Sequence, residues 1–265
     1  MAKIGIIGIG NMGSAILKGL LHVYEKEEII FTDVNRERCA QIEAETGVHF
    51  AESNVACANQ AKYVLLAVKP QYFDPVLKNI SNVVTEKNVI ISIAPGITVE
   101  QLKEKLGIEK RVVRAMPNTP ALLGEGMTGV CYDETVFDEE EKKTIEDIFR
   151  SFGKMRRVEE RLMSAVVCVS GSSPAYVYMF IEALADSAVK YGLPRDAAYE
   201  MAAQAVYGSA KMVLETGMHP GALKDAVCSP GGTTIAGVAK LEEYGFRNAV
   251  IKAGDACFAK SENIK

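Results

Sequence analysis

Short runs rich in β-branched residues alternate with helical spacing through the first half of the chain. Residues 4–9, 29–32, 63–68, 89–93 and 112–115 read as strands, with helices over 12–24, 36–46, 53–60, 72–79 and 99–106 between them. Strands joined through helical crossovers predict a mostly parallel, doubly wound sheet with right-handed connections. Thr98-x-x-Gln101 and Asp138-x-x-Glu141 have the form of capping boxes and fix two helix starts. Residues 126–132 and 155–158 read as further strands at a sheet edge. From about Arg161 strand signals cease, and helical spacing runs over 174–191, 195–216, 221–227, 233–244 and 246–261. Gly192-Leu-Pro194, Gly217-Met-His-Pro220 and Gly245 break that run. The expected fold class is α/β: an N-terminal Rossmann-type doubly wound parallel sheet over residues 1–160, followed by an all-α domain over 161–265.

One apolar stretch, residues 162–181, is long enough to span a bilayer and carries no charge. Ser170-Gly-Ser-Ser-Pro174 puts a helix breaker and three hydroxyls at its middle, which predicts a helix pair buried in protein, including between subunits, and no membrane. The composition, 48% hydrophobic and 24% charged over 265 residues, is that of a globular chain able to bury a core. A net charge of −4 supplies no basic field for a phosphate backbone, so the expected partner is a small molecule and not nucleic acid. Six cysteines without a C-x-x-C pair read as reduced, mostly buried thiols. No signal-peptide pattern precedes the first strand, and the expected address is the cytoplasm.

Candidate chemistry begins at Gly8-Ile9-Gly10-Asn11-Met12-Gly13, between a strand and a helix. Gly8 permits the tight turn, Gly10 lets the backbone approach a pyrophosphate, and Gly13 allows close packing of helix on strand. The helix N-terminus favours the anion. All six residues are candidate dinucleotide contacts. Asp33 stands twenty residues after Gly13, where an acid takes the ribose hydroxyls of NAD, whereas Asn35 and Arg36 offer donors to the 2′-phosphate of NADP. These signals oppose each other, and a solvated loop charge is a further reading of Arg36.

Ligands lie at the carboxyl ends of strands in open α/β sheets. This makes Ala67, Val68, Lys69 and Pro70, at the end of the third strand, candidate cofactor contacts, and Ala94, directly after the fourth, joins them. Asn54 is a candidate ribose contact or, alternatively, a helix cap. Further on, Ser229-Pro230-Gly231-Gly232-Thr233-Thr234 opens a helix with glycines that leave backbone N–H groups bare, an anion site favoured by the helix dipole. Gly232 and Thr233 would form that cradle, flanked by Ser229 and Gly231. A plain turn with Ser229 or Thr233 as N-cap is the competing reading.

Taken together, Arg114-Ala-Met-Pro-Asn-Thr-Pro120, Ser170-Gly-Ser-Ser-Pro-Ala-Tyr176 and His219-Pro-Gly-Ala-Leu-Lys-Asp225 leading into Ser229-Pro-Gly-Gly-Thr-Thr-Ile235 resemble pyrroline-5-carboxylate reductase. The likeness runs from Ile4 to about Phe258, and the last block is the most specific. Ser173 stands where many members carry glycine. The resemblance implies reduction of the C=N bond of 1-pyrroline-5-carboxylate to L-proline, with NADPH preferred and NADH as the alternative. It further implies a homodimer through interleaved C-terminal helices, with five dimers able to form a decamer. Thr234 would then hydrogen-bond the ring nitrogen as the catalytic residue, and Glu160 would contact substrate. Pro117-Asn118 would wall the nicotinamide pocket or simply turn the chain.

His22, His49 and His219 offer no convincing catalytic group, with His219 expected to be structural at a helix start, and no Cys/His cluster has metal-ligand spacing. Two rivals share the Rossmann half. One is a β-hydroxyacid dehydrogenase, for which Lys190 and Lys211 lack a glycine-rich neighbour. The other is a non-catalytic dinucleotide sensor, which would have no need of the 229–235 block.

Overall fold

The structure, a computed structural model, describes residues 2–106 and 111–263. Its described residues form two compact units, one of residues up to Ser172 with those from Cys257 onward, the other Ser173–Ala256. The first unit follows the alternation of apolar runs and helical spacing. Chain order is β1 (Ala2–Ile7), α1 (Asn11–Leu20), β2 (Ile29–Thr32), α2 (Arg36–Thr46), α3 (Asn54–Gln60), β3 (Ala61–Leu66), α4 (Phe73–Ile80), β4 (Val89–Ser92), α5 (Val99–Leu106), β5 (Arg111–Met116), β6 (Gly126–Cys131), α6 (Glu139–Arg150) and β7 (Gly153–Arg157).

These seven strands make one sheet in the order β2-β1-β3-β4-β5-β6-β7. The first five are parallel; β6 is antiparallel to β5, and β7 runs parallel to β6. The strands at residues 126–132 and 155–158 therefore do extend one edge. Apolar side chains fill both faces, with Ile4, Ile6, Phe31, Tyr63 and Leu65 in one core and Ile7, Val64, Leu66, Phe73 and Ile90 in the other. Near-continuous apolar runs such as Tyr-Val-Leu-Leu in β3 are what a sheet covered on both sides requires.

Strand ends differ from expectation by two residues. β1 and β3 stop at Ile7 and Leu66, because Gly8, at φ 99°, turns the chain and removes the next residues from the ladder. Both capping boxes form as expected. Thr98 Oγ1 accepts from Gln101 N at 3.1 Å while Gln101 Oε1 accepts from Thr98 N at 2.9 Å. Asp138 and Glu141 do the same at the start of α6.

Beyond Glu160 the described chain is helical: α7 (Met163–Val166), a π-turn at Val167–Gly171, then α8 (Ser173–Lys190), α9 (Arg195–Thr216), α10 (Pro220–Val227), α11 (Thr233–Glu243) and α12 (Phe246–Glu262). The break expected at residues 170–174 is this π-turn, closed by Ser172 N donating to Val167 O at 2.8 Å. His219 is structural as expected, its Nδ1 accepting from Gly221 N at 3.0 Å to cap α10.

One expectation, that the thiols are mostly buried, is corrected. Cys39, Cys57 and Cys131 are buried, but Cys168, Cys228 and Cys257 are only half-buried. Burial pushes the Cys57 thiol up to about 12 and the Cys131 thiol up to about 11, which suits inert core residues. The helical run Glu160–Lys190 is apolar and long enough to cross a membrane, yet only 6% of its most apolar window is buried within the chain. The single chain does not cover that surface.

Candidate active site

Candidate chemistry lies in two regions, one in each unit. In the first unit a cleft of about 620 Å³ opens at the carboxyl ends of β1, β2 and β3, lined by Gly8, Gly10, Asp33, Asn54, Ala67, Val68 and Lys69 among others. The three glycines divide the work as the spacing implies. Gly8 has φ 99°, and a Cβ there would lie 2.8 Å from Ala67 O. At Gly13 a Cβ would lie 2.0 Å from Gly8 O, so only glycine lets α1 sit against the loop. Gly10 faces open space, with nothing within 4 Å of a Cβ, as the approach of a ligand demands.

Six of the expected cofactor residues thus meet in the cleft, and eight stand outside its lining. Ile9 is buried, and its N–H donates to Asp33 Oδ2 at 2.7 Å. Asn11 and Met12 form the first turn of α1 beside Gly13. Asn35 is the N-cap of α2, its Oδ1 accepting from Arg38 N at 3.0 Å. Arg36 is neither a free loop charge nor a lining residue: its Nη1 donates to Ala51 O at 3.2 Å, its Nη2 donates to Glu52 O, and it lies over the Phe50 ring at 5.9 Å. Pro70 opens a single 3₁₀ turn, and the Ala94 side chain is 2% exposed in the core. Ser53, not Asn54, caps α3, accepting from Ala56 N at 3.1 Å, which leaves Asn54 to the cleft.

The cleft also takes Tyr72, Pro75, Val76 and Asn79 from the start and one face of α4, which sequence reading missed. Their spacing of three, four and seven is that of a single helical face, and α4 follows β3 directly after the candidate Ala67–Pro70 stretch of residues 67–70. That combination was the available signal.

At the far end of the sheet's parallel part, Asn118 neither faces the cleft nor merely turns the chain. Its Nδ2 donates to Ser170 O at 3.0 Å and its Oδ1 accepts from Met127 N at 2.8 Å, pinning the π-turn to β6. Glu160 accepts at one oxygen from Val99 N at 2.8 Å and from Arg114 Nη1 at 3.0 Å. It holds the start of α5 and neutralises an arginine whose side chain is 12% exposed.

In the second unit the chain turns at Pro230-Gly231, with Gly231 at φ 69° and Gly232 N donating to Ser229 O at 3.0 Å. Gly232 is the residue that opens α11, and among the described residues no side chain caps it. The competing reading, in which Ser229 or Thr233 supplies an N-cap, is therefore not what the chain does. Ser229 Oγ lies 2.4 Å from where a Cβ of Gly232 would stand, which excludes a side chain there without movement. Gly231, Thr233 and Thr234 are exposed, Gly232 half-buried. The first N–H groups of α11 are left for a ligand.

A doubly wound sheet with a glycine loop at the switch between β1 and β3 defines a Rossmann-type protein. Residues 3–96 match the family model described as NADP oxidoreductase coenzyme F420-dependent, and residues 160–264 that described as pyrroline-5-carboxylate reductase dimerisation. The chain is 49% identical to the pyrroline-5-carboxylate reductase of Escherichia coli (strain K12), over 99% of this chain and 98% of that one. It is 42% identical to that of Methanosarcina acetivorans, over 96% of each. A pyrroline-5-carboxylate reductase structure from Coxiella burnetii superposes with a TM-score of 0.92 at 34% identity, covering 98% of this chain and 97% of the other. The Plasmodium falciparum pyrroline carboxylate reductase structure with NADP bound gives 0.86 at 34%, with the same coverage. The chain belongs to the pyrroline-5-carboxylate reductase family.

Proposed function

We propose that this chain reduces the C=N bond of 1-pyrroline-5-carboxylate to L-proline, the last step of proline biosynthesis, with NADPH as the preferred hydride donor and NADH as the alternative. The observation that carries the reading is the uncapped start of α11 behind the Pro230-Gly231 turn. A small carboxylate supplies the acceptor that this helix start lacks, and the helix dipole adds to the attraction.

The dinucleotide fits the first unit, where Gly8, Gly10 and Gly13 leave the loop open beneath α1 and Asn54 and Lys69 reach the cleft. Bound there, the nicotinamide supplies the hydride. The chain's own residues bind and orient. The Thr233 N–H at the start of α11 holds the substrate carboxylate, while the Gly232 N–H, engaged by Ser229 O, fixes the turn that Ser229 and Gly231 shape. Thr234 hydrogen-bonds the ring nitrogen, and because a hydroxyl is a poor acid its part is polarisation and orientation, not proton donation. Glu160 acts on substrate through Arg114 and α5, which it positions, more than by direct contact.

Residues 161–265 form the substrate-binding and dimerisation domain, a homodimer is built through these helices, and five dimers assemble into a decamer. The enzyme acts in the cytoplasm. Loss of NADPH absorbance that saturates with pyrroline-5-carboxylate is the expected assay result; dinucleotide binding without turnover would sink the proposal. In Thr234→Ala, kcat falls by about tenfold to a thousandfold while dinucleotide affinity and melting temperature stay near wild type. Unchanged turnover removes Thr234 from the reaction.

A further inference from the structure

One pair of thiols takes no part in the chemistry proposed above. Cys168 stands in the π-turn of the first unit, and Cys257 stands near the end of α12, where the chain rejoins that unit. Through α7 and the π-turn, Ser164, Cys168 and Ser172 follow one another at helical spacing, and along α12 so do Cys257 and Ser261, so each set lies along one helical face. The two faces meet in antiparallel order. Cys257 Sγ donates to Ser172 Oγ at 3.2 Å, and Ser261 Oγ donates to Ser164 Oγ at 3.2 Å. Cys168 is the step between these two contacts. Its Sγ donates to Ser164 O at 3.1 Å, and its thiol interacts directly with that of Cys257. Both thiols are half-buried, whereas Cys39, Cys57 and Cys131 are buried.

We propose that Cys168 and Cys257 are a modification site, joined into an intramolecular disulfide by a low-molecular-weight disulfide of the glutathione type. Chain order gives that bond its effect. Cys168 lies shortly before the helical unit Ser173–Ala256 begins, and Cys257 directly follows its end. The crosslink closes a loop that contains the whole unit, the 229–234 turn included, and so restricts the unfolded chain. Burial, and after it the neighbouring sulfur, push the Cys168 thiol up to about 11. Cys168 therefore keeps its proton at neutral pH, and Cys257 is the sulfur that meets the oxidant first. Cys257 gives up its proton and attacks one sulfur of the oxidant, whose other sulfur leaves and takes a proton as a free thiol. Cys168 then gives up its proton and attacks the Cys257 sulfur, expelling the second thiol in the same way. Two protein thiols are oxidised by two electrons in all, and one small disulfide is reduced to two thiols. In a reducing cytosol the bond is a transient state that forms under sustained oxidant and opens with a dithiol.

The test incubates the full chain with glutathione disulfide at mildly alkaline pH, then maps its peptides by mass spectrometry without reduction. The peptides carrying Cys168 and Cys257 are expected to be linked, together lighter by two hydrogens and without a glutathione adduct. Cys168→Ser should stop at the mixed disulfide and retain one glutathione on Cys257, whereas Cys257→Ser should leave Cys168 unmodified. Oxidised wild type is expected to melt roughly 5 °C or more above the reduced protein, a shift that dithiothreitol reverses and Cys168→Ser lacks. Recovery of Cys168 and Cys257 as separate thiols after prolonged oxidation overturns the proposal. So does a bond from either sulfur to a second copy of the chain, seen as a doubled mass on a non-reducing gel. A Cys168→Ser protein that carries no glutathione on Cys257 overturns the order of attack. Should a serine variant fail to fold, the wild-type peptide map decides.

Discussion

Gly10 and Gly13 lie three residues apart and answer to different constraints. A Cβ at Gly13 would lie 2.0 Å from Gly8 O, a collision with backbone that no side-chain movement relieves, whereas one at Gly10 would meet nothing within 4 Å. Gly13→Ala is expected to destabilise the first unit by about 1–3 kcal/mol or more in urea denaturation, and to lose dinucleotide binding with it. Gly10→Ala should leave stability within about 0.5 kcal/mol and still weaken dinucleotide binding, because the space it fills is the ligand's. Equal stability loss in both variants would refute that division. The glycines and the acid at residue 33 were legible in the sequence because their spacing to a strand end is fixed by covalent geometry. The partners of Asp33, Arg36 and Glu160 were not. Each is set by which backbone donor or acceptor a distant segment happens to present, as with Val99 N at Glu160.

At the scale of elements, Glu141 joins three of them. It is 3% exposed on α6, and its Oε1 accepts from Lys62 Nζ on β3 at 2.8 Å and from Arg111 Nη1 on β5. Burial by itself would raise the carboxyl, but the bonds from Lys62 and Arg111 outweigh it and hold the group below its ordinary range. A depressed folded value means the stabilisation is fully present above the unfolded value, near 4.3, and is lost as pH falls through the folded one. Denaturation midpoints of wild type should therefore decline below about pH 4, and Glu141→Gln should flatten that decline while costing about 1–3 kcal/mol at pH 7. An identical acid profile in the variant would contradict the linkage. Element type was legible almost throughout, since β-branched runs, helical spacing and two capping boxes agree with one another. The π-turn was visible only as a break at Ser170-Gly-Ser-Ser-Pro174. Its form depends on Asn118 satisfying the Ser170 carbonyl from another part of the fold.

For the whole molecule, the helical unit presents apolar surface that one chain leaves bare. Met179 is 68% exposed and Val250 50%. Both line an apolar groove of about 470 Å³ with Phe180, Leu241 and Phe246. Surface of this kind marks an interface, and the dimerisation family model spans it. Sedimentation of wild type is expected to show the decamer, with melting temperature rising with protein concentration, and Phe246→Asp is expected to sediment as a smaller species at reduced stability. Unaltered assembly in that variant would place the interface elsewhere. Helical spacing foretold the helices but not which faces stay uncovered, because the covering atoms belong to another copy. Chain order adds a last consequence. Ser261 and Cys257, at the end of α12, donate to Ser164 and Ser172 in the first unit at 3.2 Å each, while everything from Ser173 to Ala256 lies between in sequence. The helical unit is thus an insertion within the first. A ribosome releases those helices before the last turns of α12, so the bonds to Ser164 and Ser172 can form only after the whole helical unit has been made.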